Sequence, residues 1–169
     1  MLADVLAEQW GLSSFGRSGS ALVAEGPHLS HDVAVVKPQT FMNRSGRVLR
    51  SLVAEGIDLQ HDLLIVVDDF ALPLGGLRLR ARGSAGGHNG LESVEAALQT
   101  DEYARLRIGI GPVPERQDPA DFVLEPFKKT ELAELVELLP DLHDAVECWA
   151  EEGIEEAMNR YNRRGPQSE

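Results

Sequence analysis

Apolar positions along the chain follow two alternating periods. Leu2, Val5, Leu6 and Trp10 recur at helical spacing and predict an opening helix stopped by Gly11, although no capping residue precedes its first turn. "ALVAE" and "HDVAVVK" predict two strands joined by a turn at Gly26 and Pro27. Val48, Leu49, Leu52 and Val53 return to helical spacing within "RSGRVLRSLVAEGI", closed by Gly56. "DLLIVVDD" is an unbroken apolar run rich in β-branched residues, which predicts a central strand buried on both faces and closed by Asp68 and Asp69. "LRLRAR" predicts a half-buried strand, "NGLESVEAALQT" a helix and "RLRIGIG" a further strand. From Lys129 to about Tyr161 the pattern is helical, with Pro140 marking a kink or a junction. Strands alternating with helices predict an α/β fold: one domain over residues 1–162, a twisted, mostly parallel (mixed) sheet with helices on both faces, and a disordered tail over residues 163–169.

Such sheets carry their chemistry at the carboxyl ends of strands, which directs attention to residues 37–43, to Asp68 and Asp69, and to the loop beginning at Gly83. Within "GSAGGHNGL" the glycines allow a tight turn and close approach of a ligand, and the loop runs into a helix N-terminus beside His88 and Asn89. An anion or oxyanion site and a plain helix cap formed by Asn89 both stay open. "KPQTFMNRSG" presents Phe41, Met42 and Asn43 just before a helix, either as core filling with a cap or as a platform for a base or ribose. Asp68 and Asp69 are strand neighbours and point to opposite faces, so they do not share a metal; one of them aimed into a cleft suits the orienting of a histidine base, against a solvated turn. The chain has no Walker loop, no dinucleotide fingerprint and no G-x-S-x-G nucleophile motif.

Charge sharpens the picture. A net charge of -12 opposes a nucleic-acid partner, yet residues 125–156 hold eleven Asp or Glu against two Lys, so the acidity is concentrated late in the chain. Upstream, Arg78, Arg80 and Arg82 alternate along one predicted strand and Arg105 and Arg107 along another, a basic stripe able to meet phosphates, with surface ion pairs as the plainer alternative. Cys148 is the sole cysteine, which excludes an internal disulfide and a multi-cysteine metal site and predicts a small buried thiol. With no membrane-length apolar run and no signal peptide, a cytoplasmic protein is predicted.

The order "KPQTFMNRSG", "VVDDFALPLGGLRLR", "GSAGGHNGLESV", "YARLRIGIGP", "DFVLEPF", then a tryptophan and "GIEEAMNRYN", resembles the bacterial peptidyl-tRNA hydrolase family from about residue 2 to 162. The resemblance implies hydrolysis of the ester between a peptide and the terminal ribose of tRNA by a monomer without metal or cofactor, with peptidyl-tRNA and neither DNA nor a membrane as partner. It implies Asp68 as the carboxylate supporting the base, and Phe41, Met42 and Asn43 at the tRNA end and peptide. It further implies His88 and Asn89 near the substrate or its water, and Arg78, Arg80 and Arg107 on tRNA phosphates. Members of that family begin with a strand resembling G-L-G-N-P-G and a T-R-H-N stretch whose histidine is the base. Neither is found here, so the resemblance implies a shortened chain lacking that base and the first central strand, and impaired in catalysis. A catalytically inactive RNA-binding relative is the alternative.

Overall fold

The computed structural model describes residues 1–54 and 56–162, and for Ser51 and Leu52 the backbone alone. The predicted tail over 163–169 and the Leu52 side chain lie outside the described residues. The fold is α/β with two three-stranded sheets, one antiparallel and one mixed, and contacts divide the chain into two compact units. The first takes Met1–Leu63 and Arg82–Tyr103, the second Leu64–Ala81 and Ala104–Glu169.

In the first unit, α1 (Leu2–Gln9) buries Leu2, Leu6 and Ala7, as its spacing predicts, and Gly11 adopts a positive φ at its end. Asp4 of α1 holds Lys37 at 2.6 Å, and the same ammonium lies 3.7 Å from the centre of the Phe15 ring. Lys37 closes β3 (His31–Pro38), which pairs antiparallel with β2 (Ala21–His28); β2 in turn pairs with a short β1 (Gly16–Ser18). The hairpin does not turn at Gly26 and Pro27, which pair with Val33 and Asp32 inside the ladder. It turns after His28, where Leu29 takes a φ of 54°. Proline is tolerated in β2 because, in a hairpin, its missing donor can face away from the partner. The chain then forms a 3₁₀ helix (Met42–Val48) continued by α2 (Leu49–Ala54), ending before Gly56 at positive φ. The last helix of this unit is α3 (Asn89–Leu98).

In the second unit, β6 (Ala104–Gly111) lies between β4 (Leu64–Pro73) and β5 (Leu77–Arg80), parallel to β4 and antiparallel to β5. That is the one parallel pairing among the described residues, so the expectation of a mostly parallel sheet is corrected. The central strand is β6, where Ala104, Arg105 and Leu106 are all buried, and not the apolar run in β4. Val66 and Phe70 of β4 remain 41% exposed, and among the described residues β4 has one strand partner where β6 has two. Neither do Asp68 and Asp69 close that strand: it bulges after Asp69, whose Oδ1 accepts the Ala71 N–H at 2.8 Å, and rejoins β6 at Pro73.

Beyond β6, α4 (Pro119–Phe122) starts with an Asp118 cap and a proline in its first turn, a signature the hydrophobic pattern misses. Helix α5 (Lys129–Glu152) runs unbroken through Pro140, and the junction with α6 (Ile154–Tyr161) falls at Gly153, φ 85°. A proline there removes the bond to the Val136 carbonyl, and Val136 lies on the exposed side of the helix, where that loss is tolerated. Asn162, just past α6, brackets β5 like an added strand: its Oδ1 accepts the Leu79 N–H at 2.7 Å and its Nδ2 donates to the Leu79 carbonyl at 3.0 Å. Cys148 is buried in α5, which pushes its thiol pKa up.

Candidate functional site

The candidate residues fall into two groups, one in each unit. In the first unit, Phe41 is the extended residue that opens the 3₁₀ helix, and it is 77% exposed; Met42 follows at 54%. Both side chains are therefore exposed, and neither fills the core. Asn43 beside them is exposed, and the Ser45 hydroxyl donates to the Met42 carbonyl at 2.9 Å, fixing the first turn that carries these side chains. Met42 packs on the start of α3: a methyl group placed on Gly90 would come within 2.6 Å of its sulfur. Phe41, Met42 and Asn43 are thus neighbours of the His88–Gly90 segment.

That segment differs from both readings of its loop. Gly83, Gly86 and Gly87 all have positive φ, as the tight turn requires. The cap of α3, however, is His88 and not Asn89: His88 Nδ1 accepts the N–H groups of Gly90 at 3.0 Å and Leu91 at 3.2 Å. An imidazole nitrogen accepting two amides carries no proton, and the same two amides are withdrawn from any oxyanion. Asn89 becomes the first helical residue, with its side chain exposed.

In the second unit, strand register sorts the charged residues by face. Val67 pairs with Arg107, Asp69 with Gly109, Arg78 with Arg107 and Arg80 with Arg105, so Asp69, Arg78, Arg80, Arg105 and Arg107 share one face. Asp68 pairs with Ile108 and lies on the other, among residues such as Leu79 and Leu106 that are fully buried. The two acids do point apart. A carboxylate on an otherwise apolar face is suited to supporting a neighbouring polar group, and Asp68 is half-buried there.

The arginine stripe is shorter than its spacing suggests. Arg105 is 2% exposed and serves the interior, and Arg82 leaves the strand to approach Glu102 at 3.9 Å. Arg107 forms an ion pair with Asp69, a partnership that the sequence pattern does not signal. Like charges opposed across a ladder repel, and Asp69 offsets that repulsion between Arg78 and Arg107. Arg80 is exposed and Arg78 half-exposed, so these two remain the outward cations of the stripe.

Among the described residues, no group of three or more His, Cys, Asp or Glu is placed to hold a metal ion, and no helix is long and apolar enough to cross a membrane. The remaining imidazoles lie elsewhere: His28 stacks on Trp10 with ring centres 4.3 Å apart, His31 is exposed on β3, His61 pairs with Asp58 and His143 with Asp144 on α5.

Comparison with known proteins agrees with the motif order. The peptidyl-tRNA hydrolase family model matches residues 1–169. The chain is 47% identical over 160 residues to a peptidyl-tRNA hydrolase of Chloroflexus aggregans, covering 94% of this chain and 85% of that protein. It is 45% identical over 166 residues to one from Gemmatimonas aurantiaca, covering 96% and 87%. The crystal structure of peptidyl-tRNA hydrolase from Acinetobacter baumannii superposes with a TM-score of 0.87 at 26% identity, covering 98% of this chain and 84% of that one. These matches support the family and do not support the expectation of a shortened chain or a missing strand.

Proposed function

The chain belongs to the peptidyl-tRNA hydrolase family, and from that premise we propose that it binds peptidyl-tRNA in the cytoplasm, as a monomer, to cleave the ester joining peptide to tRNA. The observation that carries this reading is the exposed Phe41 and Met42 pair beside Asn43, an apolar platform with an amide at its edge and next to the cap of α3. A terminal base stacks on such a ring, worth about 1–3 kcal/mol per base, and the amides of Asn43 and Asn89 orient the ester and its water. Arg78 and Arg80 meet tRNA phosphates; Arg107 joins them by exchanging part of its bond to Asp69. In hydrolysis, water attacks the ester carbonyl, the carbon–oxygen bond to the ribose breaks, and the ribose oxygen leaves with a proton. The proton of the attacking water has to pass to a base and return to the ribose oxygen, and Asp68 is the carboxylate proposed to orient such a base.

No histidine of this chain takes that base position in the proposal. His88 Nδ1 is engaged by two amides, and the other four lie on strands, a turn or α5. We therefore propose that the 169-residue chain binds its substrate well and turns it over slowly. The test is tRNA binding together with hydrolysis of N-acetylated aminoacyl-tRNA. Binding should weaken in Phe41→Ala and Arg80→Ala, and absence of tRNA binding would overturn the reading. Robust turnover abolished by both His88→Ala and His88→Asn would make His88 the base and overturn the proposed slow chemistry.

A further inference from the structure

In the first unit, an open groove of about 320 Å³ runs along the 3₁₀ helix and α2 on one side and α3 on the other. Asn43, Arg44, Arg47 and Arg50 line one wall, and the small side chains of Ser93 and Ala97 belong to the opposite one. Its base is a close approach of two backbones: the Gly46 N–H donates to Ser93 Oγ at 3.0 Å, and any side chain at Gly46 would collide with the Ser93 carbonyl.

Helix type decides where the arginines stand. With three residues per turn, positions i and i+3 of a 3₁₀ helix eclipse, so Arg44 and Arg47 leave the same side about 6 Å apart. Arg50, three residues on in the first turn of α2, extends the row. All three side chains are exposed, and none forms an ion pair among the described residues. They form three cations in a row, whereas Lys37, Arg82, Arg107 and Arg160 each find a carboxylate. Three adjacent guanidinium groups repel one another and attract a polyanion, and the spacing suits successive phosphates better than a single one.

We propose that this groove binds consecutive phosphates of an RNA backbone, extending the hold on tRNA from Asn43 along the 3₁₀ helix. The inference rests on the reading that the chain binds peptidyl-tRNA, and it adds a second cationic contact, in a different unit, to the stripe of Arg78 and Arg80. It requires electrostatic recognition without base readout, so binding through it is independent of RNA sequence.

The experiment compares the unsubstituted chain with two triple variants, one with Arg44, Arg47 and Arg50 each changed to Gln and one with each changed to Lys. Binding of deacylated tRNA is measured across a salt series. Each lost phosphate contact lowers the slope of log affinity against log salt by about 0.7–0.9, so the Gln variant should lose about 2 from that slope. Carried from 1 M to 0.1 M salt, this is roughly a hundredfold loss of affinity. The Lys variant should keep most of the slope, because the charge is retained. A urea midpoint taken on every protein separates lost contacts from lost fold; should the Gln variant unfold early, Arg47→Glu alone must still lower the slope. An unchanged slope and affinity in a folded Gln variant, with the parent binding normally, overturns the groove and leaves the proposed function standing. Failure of the parent to bind tRNA at any salt overturns both.

Discussion

Replacing His88 by alanine removes the acceptor for two amides at the start of α3. Losing a helix N-cap costs about 0.5–2 kcal/mol. Here the loss falls at the upper end: Gly90 and Leu91 are both buried, so water does not readily reach the freed N–H groups, and each unsatisfied buried donor adds to the cost. We expect a destabilisation of about 2 kcal/mol in urea unfolding, seen as a lower midpoint at constant slope, and a fall in thermal midpoint of about 4–8 °C. His88→Asn is the informative control, since asparagine is among the best caps and restores an acceptor at the same place. It should recover at least half of the loss. A cost below about 0.5 kcal/mol in the alanine variant, or no recovery in the asparagine variant, would refute the assignment of His88 as the structural cap.

Three further outcomes follow from the geometry. Asn162→Ala strips both partners from the backbone of the fully buried Leu79 and should cost about 3 kcal/mol, whereas Asn162→Asp keeps the acceptor but loses the donor; equal stability of all three proteins by urea unfolding would remove the bracket on β5 from consideration. Gly46→Ala forces the 3₁₀ helix away from the Ser93 carbonyl and should cost about 1–3 kcal/mol, with hydrogen exchange accelerated in α3; native-like exchange there would contradict the close approach. Asp4 is held at a pKa of about 2, first by its hydrogen bond to Lys37 and then by the N-terminal amine. A folded pKa below the unfolded value of 3.8 contributes stability above that pH, lost as pH falls through about 2. In Lys37→Met the carboxyl titration followed by NMR should move up toward 3.8, and an unmoved titration would assign the depression to the amine alone.

The amino-acid sequence by itself determined the α/β class, the extents of α1, α3 and β6 to within a residue or two, the φ > 0 turns at Gly83, Gly86 and Gly87, and the opposition of Asp68 and Asp69. Each of these depends on a local period or on the backbone freedom of one residue type, and both are written in the chain. It also fixed the family, through several motifs in order. Only the tertiary structure decided which strand is central, because an apolar run states a preference for burial and not how many neighbours it receives: β4 has the run, and β6 has the two partners. The same limit separates Arg105, enclosed in the sheet, from Arg80, its exposed cross-strand partner, although both sit in alternating arginine patterns. It also hid the pairing of Arg107 with Asp69 and the cap by His88, since a side chain's partner depends on the atoms brought within about 3 Å of it, and those are set by register and by the exact turn before a helix.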